Sequence, residues 1–195
     1  MLIRCAVYED GRKVADIAKE EIHLNLGKPG RFVWVALRDP TPEELEEMRA
    51  QFDLHELAVE DALHGNQRPK VDEYGDCVFA VMHTVELEAK ELMVGEVAVF
   101  VGPDYVLSIR QRTKLGFGTV RDRCEREPHL MKEGPGYVLY ALMDTIVDRY
   151  FPVIDQLEED LEEIEDRIFQ GAPARKNVED LYALKRKLMV LRHAV

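Results

Sequence analysis

The residues in this chain most able to do chemistry are carboxylates. At about 100° per residue, Asp144, Asp148, Asp155, Glu159, Glu162 and Asp166 fall in a band about 60° wide on one helical face, roughly opposite an apolar stripe. Like charges three and four positions apart repel, so a face of this kind gains from divalent cations. Oxygen donors alone suit hard ions such as Mg2+ or Ca2+ better than a metal that prefers thiolate. The competing reading is a solvated face that also pairs with the next helix, where Arg175, Lys176, Lys185, Arg186, Lys187 and Arg192 are available.

A second group sits in Leu57-Ala58-Val59-Glu60-Asp61-Ala62-Leu63-His64. There Glu56, Glu60 and His64 follow one another at one-turn spacing, which could place a metal or a general acid. Alone, the spacing is a weak signal and reads more readily as a surface helix with ordinary charges. The zinc-protease pattern H-E-x-x-H is absent, as is G-x-S-x-G, and Gly116-Phe117-Gly118 lacks the third glycine of a phosphate-cradling loop. No nucleophile is paired with a base, so the chain is not expected to be an enzyme. The six histidines are scattered, and Trp34 lies in an apolar strand as a core residue.

The elements that must position these groups follow from pattern. Ile3–Tyr8 and Phe32–Leu37 are short β-rich runs, the first closed by Glu9-Asp10-Gly11-Arg12. Thr41-Pro42-Glu43-Glu44 supplies an N-cap, a proline at the first helical position and a capping-box glutamate, so a helix runs to about Phe52. A shorter helix over His55–His64 ends at Gly65-Asn66, and Pro69 leads the chain out. Cys77–Val85 reads as a buried strand, Val97–Val101 and Tyr105–Ile109 as a hairpin, and Thr119–Glu127 as a helix.

Pro128–Gly136 is the clearest breaker and the expected boundary between an α/β part, 1–133, and a helical arm, 134–195. In the arm, Leu139, Leu142, Ile146, Tyr150, Ile154, Leu157, Leu161, Ile164 and Ile168 form one stripe along a single long helix that Pro152 could kink. Gly171-Ala172-Pro173 ends it, and a second helix with Val178, Leu181, Leu184, Leu188 and Leu191 folds back antiparallel. The expected fold is α/β: a mixed β-sheet sandwiched by helices, followed by a long antiparallel helical pair.

Composition narrows the partners. With 195 residues and 46% apolar content, the chain can bury one core and carry an extension. A net charge of -12, from 38 acids against 26 bases, disfavours nucleic acid and anionic membrane surfaces. Cys5, Cys77 and Cys124 are widely spaced and suggest neither a disulfide framework nor a zinc ribbon, which fits a reducing cytosol. The longest charge-free run, Gly134–Met143, is about half of what spans a bilayer.

The order of two motifs is specific. L-A-V-E-D-A-L-H-G-N-Q-R-P-K-V-D-E-Y at 57–74, followed by G-Y-V-L-Y-A-L-M-D-T-I-V-D-R-Y-F at 136–151, closely resembles the cytoplasmic domain of the CorA family of divalent-cation channels. The resemblance runs over nearly the whole chain. It implies an α/β sandwich feeding helices that form a cytosolic funnel, a homopentamer around a Mg2+ or Co2+ pore, and a location on the cytoplasmic face of the cell membrane. It also implies that acids between neighbouring subunits bind Mg2+ as a sensor and that high internal Mg2+ holds the funnel closed.

Carried over residue by residue, the sensing candidates are Glu60 and Asp61 of the first motif and Asp144 of the second, with Asp148, Asp155, Glu159, Glu162 and Asp166 as a secondary acidic face. A largely hydrated Mg2+ held through its waters suits a weak, reversible sensor, because this ion sheds water reluctantly. The family's Gly-Met-Asn pore motif, both membrane helices and the stalk helix with the partnering aspartate are not in this sequence. The uncapped ending Leu191-Arg192-His193-Ala194-Val195 predicts that the last helix continues in a longer native protein. Two alternatives stand beside this reading. One is a related zinc-transporting branch, for which His64 and Cys77 are the nearest soft ligands; the other is a free-standing acidic adaptor whose helical pair docks a partner.

Overall fold

The structure is a computed structural model that describes residues 1–89, 91–171 and 173–195. Ala172, within the expected helix break, lies outside the described residues. The strands are β1 (Leu2–Glu9), β2 (Arg12–Asp16), β3 (Arg31–Arg38), β4 (Lys70–Tyr74), β5 (Cys77–Glu88), β6 (Glu91–Val101) and β7 (Tyr105–Gln111). The helices are α1 (Pro42–Phe52), α2 (Glu56–His64), α3 (Gly118–Arg126), α4 (Pro128–Met131), α5 (Pro135–Asp148), α6 (Phe151–Phe169) and α7 (Ala174–Ala194), with a 3-10 turn at Lys19–Leu24.

All seven strands join one sheet in the order β2-β1-β3-β7-β6-β5-β4. It is mixed: β3 and β7 run parallel, and the other neighbours run antiparallel. The interior strand β3 is apolar on both faces, Val33 and Val35 turning one way and Phe32 and Trp34 the other, as a strand covered on both sides must be. The first face is roofed by α1 and α2, which bring Leu45, Met48, Phe52, Ala58 and Ala62 against it. The second is roofed by α3, α4 and α5, through Val120, Cys124, Met131, Val138 and Leu142. The expected helix-sandwiched mixed sheet is what the chain builds.

The start of α1 is as the sequence requires. Thr41 Oγ1 accepts from the Glu44 N–H at 3.2 Å, and the Glu44 carboxylate accepts from the Thr41 N–H at 3.0 Å. Three strands or strand extensions escaped the pattern reading. β2 pairs with β1 across Asp10-Gly11, both at positive φ (49° and 78°), a turn geometry that closes two-residue hairpins. The edge strand β4 emerges directly after Pro69 and pairs with β5 across Gly75-Asp76. β6 begins at Glu91 instead of Val97, because its first half pairs with an extension of β5 as far as Glu88.

The single long helix expected over 139–168 is two helices. Tyr150 N–H turns to the Val147 carbonyl, and Pro152 has no N–H to continue the ladder, so α5 ends and α6 starts afresh at Phe151. α5 belongs to the second core, where Ala141, Leu142 and Ile146 are buried. α6 and α7 fold back on one another as expected, tied by Arg167 to Asp180 at 2.7 Å and Lys187 to Asp160 at 2.8 Å. Their shared apolar seam, Val153, Leu157, Ile164, Leu184 and Ala194, rests on Val85, Leu92 and Val94 of the extended β5–β6 hairpin. The hairpin extension thus seats the arm on the sheet.

Candidate metal-binding carboxylates

The E-D pair is presented by α2. His55 caps this helix, its Nδ1 accepting from the Leu57 N–H at 3.3 Å, and its ring stacks on Tyr74 with centroids 4.3 Å apart. At the other end, Gln111 donates to the Ala62 carbonyl at 3.1 Å, and Arg112 donates to Asn66 at 2.6 Å. His83 Nε2 meets the Gln67 carbonyl at 2.8 Å, and Gln67 N–H donates to the Glu96 carboxylate at 3.3 Å. The segment after α2 is therefore stitched to β5, β6 and β7, which fixes the orientation of the helix on the sheet.

Glu96 is only 2% exposed, and burial pushes its carboxyl above the ordinary range despite Arg112 at 3.6 Å and His83 at 4.0 Å. This residue was missed in the sequence reading. Its one signal is an acid inside the apolar run Val94–Val101.

On that frame, Glu60 points to solvent and makes no side-chain hydrogen bond or ion pair among the described residues. His64 Nδ1 lies 3.0 Å from the backbone carbonyl of Glu60, so the expected Glu60–His64 side-chain pair is a backbone contact. Asp61 is half-buried. Its Oδ2 receives Lys70 Nζ at 2.7 Å, and the same ammonium sits 2.7 Å from Asp72. Two carboxylates hold the Lys70 amine well above its usual range. Asp61 Oδ1 remains unengaged among the described residues.

Asp144 stands on α5, on the opposite side of the sheet. Its Oδ2 accepts from Arg123 Nη1 at 2.5 Å, while Oδ1 has no hydrogen-bond partner among the described residues. Arg123 also faces Glu127 at 3.8 Å, and Glu127 in turn accepts from the Tyr137 hydroxyl. Burial, reinforced by that hydrogen bond to the glutamate, pushes the Tyr137 phenol up to about 12. Neither Lys70 nor Arg123 was recognised as a neutralising partner. Arg123 lies 21 residues from Asp144, and no local spacing links them.

Asp148, Asp155, Glu159, Glu162 and Asp166 are all exposed. None is in an ion pair among the described residues; the cross-helix pairs are made by Asp160 and Asp180 instead, which lie at the edge of the helix–helix seam. Among the described residues, no three His, Cys, Asp or Glu side chains gather closely enough to hold a metal ion. The chain thus offers separated carboxylates on two faces: Glu60 and Asp61 beside the first core, Asp144 beside the second. Each keeps an oxygen free for a hydrated cation, and none closes a coordination shell by itself. Among the described residues, no helix is long and apolar enough to cross a membrane.

Comparison with known proteins agrees with this architecture. A putative metal ion transporter, YfjQ of Bacillus subtilis, is 37% identical over 69% of this chain and 42% of its own length. The cobalt/magnesium transport protein CorA of Thermotoga maritima is 30% identical over 74% of the chain and again 42% of its own. The chain thus spans less than half the length of these relatives. The full-length CmaX protein superposes with a TM-score of 0.77 at 20% identity, covering 99% of this chain and 59% of that one, a likeness of fold. Residues 29–195 match the family described as CorA-like Mg2+ transporter protein, and with so much of its length covered, the chain belongs to that family.

Proposed function

We propose that this chain is the cytoplasmic, Mg2+-sensing regulatory part of a divalent-cation transporter, gating a Mg2+ or Co2+ pore carried elsewhere in the full protein. Family membership supports transport as the context. The observation that carries the sensing role is the placement of Glu60 and Asp61 on one side of the sheet and Asp144 on the other, each with an unengaged carboxylate oxygen.

A ring of identical subunits joined head to tail sets unlike faces of neighbours against each other, so carboxylates that are apart within one chain can share an ion across an interface. A homopentamer is the assembly expected from the resemblance. Bound Mg2+ would neutralise the facing carboxylates and hold the subunits together; its loss would leave like charges in apposition and loosen the ring. In this reading the 134–195 arm, rooted in the second core through α5, carries the change to the pore.

The test uses the full-length transporter in lipid vesicles, with Mg2+ set inside and uptake followed by a fluorescent indicator. Internal Mg2+ is expected to slow uptake by the wild type and to have little effect in Asp61→Ala. Equal inhibition of both proteins would refute the role assigned to Asp61.

A further inference from the structure

The second face of the sheet holds a cavity of about 180 Å³ that is unlike the rest of this acidic molecule. Strand alternation turns Arg4, Trp34, Ala36, Ser108 and Arg110 toward it, and Gly116–Gly118 with Arg121 of α3 close it from above. Three arginines line the space and no aspartate or glutamate does, in a chain whose net charge is -12. Arg4 is paired with Asp16 at 3.0 Å, but neither Arg110 nor Arg121 has a carboxylate within ion-pair distance among the described residues.

Arg121 is the more telling of the two, being only 5% exposed. Its guanidinium lies 4.0 Å over the Trp34 ring, and Nη1 donates to the Tyr8 hydroxyl at 2.9 Å. Tyr8 donates onward to Glu125 at 2.8 Å, so this buried charge reaches an acid only through a phenol. A buried charge without a direct counter-ion is costly, and an anion in the cavity would supply one. Stacking occupies the face of the guanidinium and leaves its in-plane edge donors suited to a carboxylate. Arg110 donates to the Leu115 carbonyl at 2.8 Å. Of the two acids near Arg110, Asp39 is taken by Arg38 at 3.3 Å and the Arg112 N–H at 3.2 Å, and Glu86 by the Thr113 hydroxyl and the Leu115 N–H at 3.3 Å.

The walls decide what kind of anion fits. Trp34, Ala36, Val97 and Phe117 make them mostly apolar, which a bare inorganic anion would leave unused. The volume is somewhat above the roughly 150 Å³ that accommodates a benzene-sized molecule. We propose that this cavity binds a small organic carboxylate with a compact apolar body, its carboxylate on Arg121 and Arg110 and its hydrocarbon against Trp34. Nothing in this depends on the Mg2+ reading.

Trp34 is the only tryptophan in the chain, so its fluorescence reports on the cavity directly. The chain is titrated with 3-methylbutanoate and benzoate, with 3-methylbutanamide as the neutral comparator and with inorganic phosphate, and affinities are checked by calorimetry. The carboxylates are expected to shift Trp34 emission saturably and to bind at least tenfold tighter than the amide and than phosphate. Arg110→Gln, with its fold verified by circular dichroism, should weaken them about tenfold or more, the scale of a lost charge-assisted hydrogen bond. Ala36→Leu, which fills the cavity and removes no charge, should abolish binding. No saturable change up to about 10 mM carboxylate, where even a weak millimolar site would fill, overturns the proposal. So does amide or phosphate binding as tightly as the carboxylates, or unchanged affinity in the Ala36→Leu protein.

Discussion

Replacing Arg123 by glutamine separates the two roles of its ion pair with Asp144. Both side chains are 34% exposed, so the contact is screened by water, and its loss should cost less than about 1 kcal/mol of stability despite the 2.5 Å approach. The consequence for cations is larger. A Mg2+ held through its waters at the free Oδ1 of Asp144 would lie about 6 Å from the guanidinium, where a double and a single positive charge repel by about 1.4 kcal/mol in bulk water. Screening at physiological ionic strength, with a Debye length of about 8 Å, roughly halves this. Arg123→Gln should therefore tighten Mg2+ binding between about threefold and tenfold. Asp144→Asn should remove that increment. Calorimetric titration of the wild type, Arg123→Gln and the double variant with Asp144→Asn, backed by thermal midpoints over a Mg2+ series, reads the effect through linkage. Unchanged or weaker Mg2+ binding in Arg123→Gln, or the same gain in the double variant, would refute Asp144 as a cation ligand.

Other perturbations test the frame that holds the carboxylates. The Glu96 carboxyl is raised in the folded state, so the native protein binds more protons there than the unfolded chain, and its ionisation lowers stability as pH rises through and above 4.5. Glu96→Gln should gain stability relative to wild type between pH 4 and pH 7, measured by urea denaturation; a pH-independent difference would contradict the burial argument. Thr41→Ala removes the α1 cap and should cost about 1 kcal/mol in the same assay. A Cβ placed on Gly102 would fall 2.1 Å from the Tyr105 ring, which itself stacks on Phe52 at 4.4 Å. Gly102→Ala should therefore destabilise by about 1–3 kcal/mol, seen as a lower thermal midpoint.

Local chemistry set much of this protein before any folding. The Thr41-Pro42-Glu43-Glu44 start of α1, the two apolar runs of β1 and β3 and the helix-breaking Gly-Pro steps are written in short stretches, because caps, turns and alternation act over a few residues. The CorA-like reading rested on two such stretches, at 57–74 and 136–151, and the family match covers both. Helical periodicity alone places Asp155, Glu159, Glu162 and Asp166 on one side of α6, but the break before Phe151 leaves Asp144 and Asp148 of the expected band on a separate helix, α5.

Long-range packing decided the rest. The extension of β5 and β6 is seen only in the fold, where Leu92 and Val94 pack under α6 and α7. Whether an acid is free, paired or buried depends on what the fold brings to it. Asp61 meets Lys70 from the edge strand, Asp144 meets Arg123 across two helices, and Glu96 is pressed between His83 and Arg112. Short stretches of sequence carry the residue types and the α1, α2, β1 and β3 elements, whereas β2, β4 and the division of the long helix into α5 and α6 appear only in the fold. Only the tertiary structure placed the sensing candidates on opposite faces and walled three arginines into one cavity, because those outcomes depend on charges and surfaces far apart in the chain.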